Sequence, residues 1–569
     1  MNTVKKGIFQ IRPRLDPSQP ALRVALAGYA LLFAWVVSLH YQIAAAVGGG
    51  ELASSDPPAH FTSGVMVYDY LRTALGSDPI RFAEGFYVRY PKVAIGHWPP
   101  GYYAVQAIWY FLFGASVWSA QWLSAATAAG LAWLLFRRLR TSSGNSAALA
   151  AVLVFLAMPL IQQATWQVMS DLLTGLFVFL AVLAFSDLLD TSRRWRAGIG
   201  FLVWSVLAIL TKGTAWALGP FVVLAPLLAR RTACYKARWY WGSGLFMAIA
   251  GSLFFLAMQR KNMGYPIDVG YLLHRLSNSG LSWQKRLSPL QPMLALAPPV
   301  VLGMAALGLL DALKARWQAG DNSPGTTDAL VAAAWILSQG VFLLLLPLTG
   351  EVRALLPSLA PAVLLAARAM GRVTAGATPK EGAILLVLLT AWAIASAGQV
   401  PMNRVEGYAA AARAIPYPVE GLLILVSSDP AGEGAFIVER LVNDRNRAGI
   451  VLRAGQLLAE SNWMGTHYRP LFQSAAAVRD YLKELLVRYV VIDHSAESTP
   501  DQRLLADAIE GDPANFILVG RLPVADSQGW RRGELGIYEN PAARTRRPHT
   551  VRVRLGQERG GRVLEYPWP

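Results

Sequence analysis

Long apolar runs dominate this chain. The first covers about residues 21–46, and others lie near 118–136, 146–166, 171–189, 197–211, 213–229, 239–258, 291–312, 328–348, 353–369 and 381–399. Runs that approach the ~20 residues needed to cross a hydrocarbon core must be buried among their own kind or face lipid. Charged residues make up only 15% of the chain against 54% hydrophobic ones, whereas an ordinary soluble domain carries about 25% charged residues. That balance excludes a water-soluble enzyme and a disordered or fibrous chain. The reading is a polytopic α-helical membrane protein. A signal peptide competes for the first run, because Ala44-Ala45-Ala46 resembles a small-residue cleavage site. The run is longer than an h-region of about 7–15 residues, so an uncleaved first span is preferred.

The formal net charge is +17. On a soluble protein that excess suggests nucleic acid. Here the basic residues form short clusters between apolar runs, as in membrane proteins that set their orientation by positive charge on the cytoplasmic side. The clusters are Lys5/Lys6/Arg12/Arg14, Arg137/Arg138/Arg140, Arg193/Arg194/Arg196, Arg230/Arg231/Lys236/Arg238, Lys314/Arg316 and Arg372/Lys380. Two apolar runs separate consecutive clusters, except between residues 21 and 136, where a third candidate lies at 99–114. At 1.5 Å per residue that run reaches about 24 Å, short of a ~30 Å core. It reads as a re-entrant or interfacial helix, which leaves about eleven spans, a cytoplasmic segment 1–20 and an outer C-terminus. If it crosses, the count becomes twelve and the C-terminus moves inside. Cys234 is the one cysteine, so no intrachain disulfide can form.

Three segments fall on the outer side. Residues 47–117 are long and rich in His, Trp, Tyr and Pro. Residues 259–290 hold Arg260, Lys261, Arg275, Lys285 and Arg286 against the single acid Asp268, which reads equally as snorkelling near helix ends or as a site for a lipid phosphate. The third is the turn Thr349–Arg353. Beyond about residue 400 the pattern changes. Leu422–Ser427, Tyr489–Asp493, Phe516–Val519 and Leu535–Tyr538 read as short strands, with helices at Gly434–Asn443 and Ala475–Leu486. This alternation predicts an extramembrane α/β domain over 401–543, followed by a basic tail, 544–569. It holds no phosphate-loop motif.

Ionisable residues gather on the outer side. Asp56, on a segment stiffened by Pro57 and Pro58, could be held at a fixed point and accept a proton from an attacking hydroxyl or amine. Spacing alone favours an Asp that starts a turn or caps a helix. His97 stands in Gly96-His97-Trp98-Pro99-Pro100-Gly101-Tyr102-Tyr103, where an interfacial aromatic belt is a strong competing reading. Asp171, Lys212, Glu351 and Arg353 fall at ends of apolar runs. Each alone reads as a cap or a snorkelling residue. Their collection on one face, with Asp56 and His97, points to a shared outer cavity. No metal motif of recognised spacing is present, and the seven histidines are scattered.

Taken in order, these motifs over about residues 20–400 resemble the GT-C superfamily of membrane glycosyltransferases. The likeness is to the dolichyl-phosphate-mannose protein mannosyltransferase and aminoarabinose transferase group. Ser55-Asp56-Pro57-Pro58-Ala59-His60 is similar to that group's acidic motif at the start of the outer loop. His97-Trp98-Pro99-Pro100-Gly101-Tyr102 resembles its Lys/His-Pro-Pro stretch, and Met169-Ser170-Asp171 its Thr/Ser-x-Asp-like span start. Leu210-Thr211-Lys212-Gly213 and Arg353-Ala354-Leu355-Leu356-Pro357 resemble its Leu-x-Lys-Gly and Arg-x-Leu-Leu-Pro motifs. The family's second acid is Pro57 here, its pre-proline Lys or His is Trp98, and its tyrosine four residues after the acid is His60.

The resemblance implies a GT-C-like bundle over 21–400 and an inverting sugar transfer from a polyprenyl-phosphate donor at the outer face of a bacterial cytoplasmic membrane. The acceptor would be a lipid, glycan or protein, and nucleic acid is not a partner. Asp56 would be the catalytic base, with His60, His97, Tyr102, Asp171, Lys212, Arg275, Glu351 and Arg353 as substrate-binding residues. A divalent metal is not supported by a motif, and no other cofactor is implied. Two alternatives stand beside it: an oligosaccharide ligase or polymerase using a lipid-pyrophosphate glycan, and a secondary transporter. Transporters tend to show internal repeats, and none is visible here.

Overall fold

The computed structural model describes residues 20–47, 54–190, 194–236, 299–345, 352–374, 405–417, 422–460, 468–495, 499–526, 532–544, 550–554 and 563–567, with isolated positions between them. The described membrane part is a helical bundle. It comprises α1 (Pro20–Val47), α2 (Asp56–Thr73), α3 (Pro79–Arg89), α4 (Gly101–Phe113), α5 (Val117–Ser142) and α6 (Asn145–Ala157). These are followed by α7 (Pro159–Trp166), α8 (Asp171–Asp190), α9 (Arg194–Thr211) and α10 (Leu218–Leu228). After residues outside the described set come α11 (Pro299–Trp317), α12 (Pro324–Leu345) and α13 (Leu356–Thr374).

Among the described residues, three helices are long and apolar enough to cross a membrane: Asp171–Asp190, Pro324–Leu344 and Val352–Arg372. A fourth crossing is available if α6 and α7 form one span, bent by 58° where Pro159 follows Met158. Proline cannot donate to the helix ladder, which accounts for the break inside what reads in sequence as one run at 146–166. The runs expected at 239–258 and 381–399 lie almost wholly outside the described residues. Leu149, Ile199, Val223, Leu307 and Leu337 are exposed on the bundle's outer surface, an apolar belt suited to lipid.

α8 runs the depth of the bundle. Its 20 residues span about 30 Å at 1.5 Å per residue. At its far end Asp190 pairs with Arg231 at 3.1 Å. Beside it, Arg138 of α5 grips Asp328 through two bonds of 2.5 Å and reaches Asp187 at 2.8 Å. Arg316 joins this end by donating to the Ala229 carbonyl at 2.9 Å. Three of the basic clusters therefore meet at one end of the bundle, and Asp171 begins the same helix at the opposite end.

The C-terminal part is a six-stranded mixed sheet, ordered β1-β7-β8-β6-β2-β3. The strands are β1 (Val405–Glu406), β2 (Leu423–Ser427), β3 (Ile450–Arg453), β6 (Tyr489–Asp493), β7 (Ile517–Asp526) and β8 (Arg532–Glu539). β4 (Ala459–Glu460) and β5 (Arg469–Pro470) pair separately, as do β9 (Thr550–Arg554) and β10 (Val563–Pro567). β2 is parallel to both β3 and β6, and the β6–β8, β8–β7 and β7–β1 pairs are antiparallel. β2 and β6 are buried throughout, as continuous apolar runs covered on both faces must be. The helices α14 (Tyr408–Ala414), α15 (Pro430–Asn443), α16 (Ala475–Glu484) and α17 (Pro500–Glu510) surround the sheet. Its core is shared with the segment that follows α1. Phe61, Val65, Phe86, Val88 and Tyr90 pack in the same buried cluster as Phe436, Ile424 and Val490, so α2 packs on the sheet domain as well as on the bundle, and α3 packs on the sheet domain.

Candidate active site

Three helix starts converge where bundle and sheet domain meet. Asp56 is the first residue of α2, Asp171 is the first of α8, and Arg353 lies in the 3-10 turn Val352–Leu355 before α13. A carboxylate in the first turn of a helix is favoured by the macrodipole. Pro57 and Pro58 fit the first turn of α2 because their missing N–H groups would lack helical partners anyway. A cavity of about 360 Å³ opens here, lined by Asp56, Asp171, Arg353, Gln163, Gln167 and Met169 among others.

The charges at this cavity are paired. Arg353 donates from Nη2 to Asp56 Oδ2 at 2.5 Å and from Nη1 to Met169 Sδ at 3.3 Å. Lys212 donates to Asp171 Oδ1 at 2.5 Å, and Asp171 Oδ2 is buried with no hydrogen-bond partner among the described residues. Burial alone raises the Asp56 carboxyl. The Arg353 guanidinium, with smaller contributions from His60 and Lys92, outweighs it and holds the group below the usual carboxylate range.

The histidine and tyrosine candidates sit beside this cavity. His60 is 1% exposed, stacks on Trp98 at 4.1 Å between centroids, and shares a 3.1 Å hydrogen bond through Nδ1 with the Tyr103 hydroxyl. Burial pushes its imidazole well below the ordinary value, so His60 is neutral at pH 7. Tyr102 meets His60 edge-on at 5.5 Å, and His97 meets Trp98 edge-on at 4.6 Å. None of His60, His97 and Tyr102 is among the cavity-lining residues. Arg275 and Glu351 lie outside the described residues. The sequence reading did not single out Gln163, Gln167 or Lys92. Two glutamines four apart, just after a proline inside an apolar run, are a visible signal for the first two. A lone lysine in Tyr90-Pro91-Lys92 gave none.

The Pro-Pro motif and the Lys212 motif touch directly. A Cβ placed on Gly101 would lie 2.7 Å from the Leu210 carbonyl oxygen, so glycine is what lets α4 approach the end of α9. Gly101→Ala is expected to cost about 1–3 kcal/mol through overpacking and to shift Lys212 relative to Asp171. Thermal unfolding in detergent measures the first effect, and the Lys212–Asp171 distance in a structure of the variant measures the second. Stability and distance both equal to wild type would refute it.

Comparison with known proteins agrees with this architecture. Residues 97–256 match the family model described as dolichyl-phosphate-mannose-protein mannosyltransferase. ArnT from Cupriavidus metallidurans in its apo state superimposes with a TM-score of 0.55 at 16% identity, covering 91% of this chain and 99% of that one. At this identity the likeness is one of fold. The same ArnT bound to undecaprenyl phosphate gives a TM-score of 0.52 at 16% identity, covering 90% of this chain and 98% of that one. No curated protein matches by sequence. The GT-C resemblance read from five short motifs therefore holds at the level of fold, and with it a helical membrane bundle carrying a C-terminal sheet domain.

Proposed function

We propose that this protein transfers one sugar from a polyprenyl-phosphate carrier to an acceptor hydroxyl or amine. The observation that carries this reading is the convergence of Asp56, Arg353 and the Asp171–Lys212 pair on one cavity at the end of the bundle away from the basic clusters. In this reading the bundle keeps eleven spans and the cavity opens on the outer face of the membrane. α4, with only 13 residues and with Ile108 and Leu112 exposed, lies at the interface.

The acceptor attacks the anomeric carbon, the bond from that carbon to the phosphate oxygen breaks with inversion, and the polyprenyl phosphate leaves with the bonding electrons. Asp56 takes the acceptor's proton. Arg353 stabilises the charge that grows on the leaving phosphate. The donor phosphate and Asp56 compete for the same guanidinium. Donor binding therefore draws Arg353 off the carboxylate and restores its basicity. Asp171 Oδ2, without a hydrogen-bond partner among the described residues, would accept from a sugar hydroxyl. A cavity of about 360 Å³ lies at the small end of ligand pockets, roughly 300–1,000 Å³. That favours a single sugar over a lipid-pyrophosphate glycan.

The test supplies purified protein with a mixed pool of polyprenyl-phosphate sugars and cell-envelope extract. Release of free polyprenyl phosphate with consumption of one donor is expected. Consumption of a lipid-pyrophosphate glycan instead would establish the ligase, and no consumption of either would overturn the transferase reading.

A further inference from the structure

The sheet domain could be a cover, an acceptor-binding module or part of the catalytic apparatus. Its parallel strands offer a familiar place to look. Sheets of this kind bind ligands beyond the carboxyl ends of their strands, where strand order reverses, and here that point lies between β2 and β6. Ser428 and Asp493 occupy it, joined at 2.5 Å, and Tyr408 bonds to both. All three are buried. The crevice is filled by the domain's own side chains.

The helix that leaves this point, α15, runs instead against the start of α2. A Cβ on Gly434 would lie 2.9 Å from Pro58 Cβ and 3.0 Å from Lys92 Cε, so only glycine allows this approach. Pro58 is two residues from Asp56. Lys92 is 2% exposed and donates to the Pro430 carbonyl at 2.9 Å. Glu433, 1% exposed, accepts from Arg453 Nε at 2.6 Å and from the Gly455 N–H at 3.1 Å. Arg453 also donates to the Pro91 carbonyl at 3.4 Å. Backbone at residues 91–92 and the first turn of α2 are thereby held by α15 and β3. Farther along, Arg447 meets Asp69 at 2.8 Å and Tyr90 donates to Asp444 at 2.8 Å. Buried charges are costly to desolvate unless they are paired, and a seam built from such pairs holds the two parts in one register.

We propose that Gly434, Glu433 and Lys92 are positioning residues, through which the sheet domain sets Asp56 against Arg353. This rests on the reading of Asp56 as the proton acceptor. A shift of about 1 Å in such a group costs on the order of 10²-fold in rate, while Arg353 stays on the bundle to hold the lipid phosphate.

The test uses the full-length protein in nanodiscs, with Gly434→Ala and Glu433→Gln measured separately. The second keeps the side chain's shape and an acceptor for Arg453, and thermal unfolding of each variant separates loss of positioning from loss of fold. The rate of polyprenyl phosphate release is expected to fall about tenfold to 10²-fold, with the Kd for polyprenyl phosphate no weaker than in wild type, since Arg353 is then freer to meet the phosphate. The acid limb of kcat/KM is also expected to move to higher pH in Gly434→Ala. Asp56 faces Arg353, His60 and Lys92, and parting it from Arg353 removes the main influence that lowers its carboxyl. A limb near neutral pH would belong to Lys92, whose ammonium is pushed down to about 7 by burial and by Arg453. Unchanged rates in both variants would overturn the proposal, and so would losses of Kd and thermal stability in step with rate. A wild type that releases no polyprenyl phosphate would instead overturn the transferase reading itself.

Discussion

Asp56→Asn is expected to lower sugar transfer by about 10²–10⁴-fold, the range that general acid–base groups supply, and to leave polyprenyl phosphate binding as tight as in wild type or tighter, because no carboxylate then competes for Arg353. The amide preserves the size of the side chain at the start of α2 and still accepts a hydrogen bond from Arg353, so the cavity keeps its form. What it loses is the capacity to take a proton. Its pH behaviour follows from the pair. The resting carboxyl is held below the usual range by Arg353 against the opposing effect of burial. It is therefore ionised at neutral pH and protonates only in acid, and the stability the ion pair contributes is lost as pH falls through that lowered value. In the donor complex, with Arg353 engaged by phosphate, the carboxyl titrates higher. The acid limb of kcat should therefore lie above that of kcat/KM, which reports the free enzyme. Matched membranes of wild type and Asp56→Asn, followed by polyprenyl phosphate release across pH, measure both effects. Equal release by the two proteins would remove Asp56 from the chemistry.

Much of this arrangement was legible in the sequence because membrane insertion leaves strong marks. Basic clusters at Arg138, Arg231 and Arg316 were assigned to one side from charge alone, and the structure gathers all three around the ends of α5, α8 and α10. Asp56 stands out beside its two prolines, and Asp171 and Arg353 at run ends, and all three line one cavity. Strands at Leu423–Ser427 and Tyr489–Asp493 were visible as short apolar runs. What stayed hidden depends on packing between distant segments. β3 carries only four residues, Ile450–Arg453, too few for periodicity to register. His60 reads as a ligand by its place in a motif, yet it lies in a stack with Trp98 and Tyr103 because those residues, some forty positions away, close over it. Lys92 and Glu433 gave no local signal, since a charge becomes informative only when another part of the chain buries it.

The buried pair between Lys212 and Asp171 sets the second large expectation. Asp171 has 2% of its side chain exposed and Lys212 17%. Lys212→Met leaves a buried carboxylate with no counter-charge, at a cost of about 3–5 kcal/mol, and a clear fall in the apparent melting temperature in detergent should follow. Removing both charges in Lys212→Met/Asp171→Leu should recover most of that stability, because replacing a buried ion pair by apolar side chains is often neutral or stabilising. Activity divides the two roles the pair could have. If Asp171 presents Oδ2 to the donor sugar while Lys212 holds it in its charged form, the double variant regains its fold and remains inactive. If the pair only ties the start of α8 to the end of α9, stability and transfer return together. A stable single variant would contradict both, since it would mean that water reaching the cavity already solvates the Asp171 carboxylate where the structure shows a lysine.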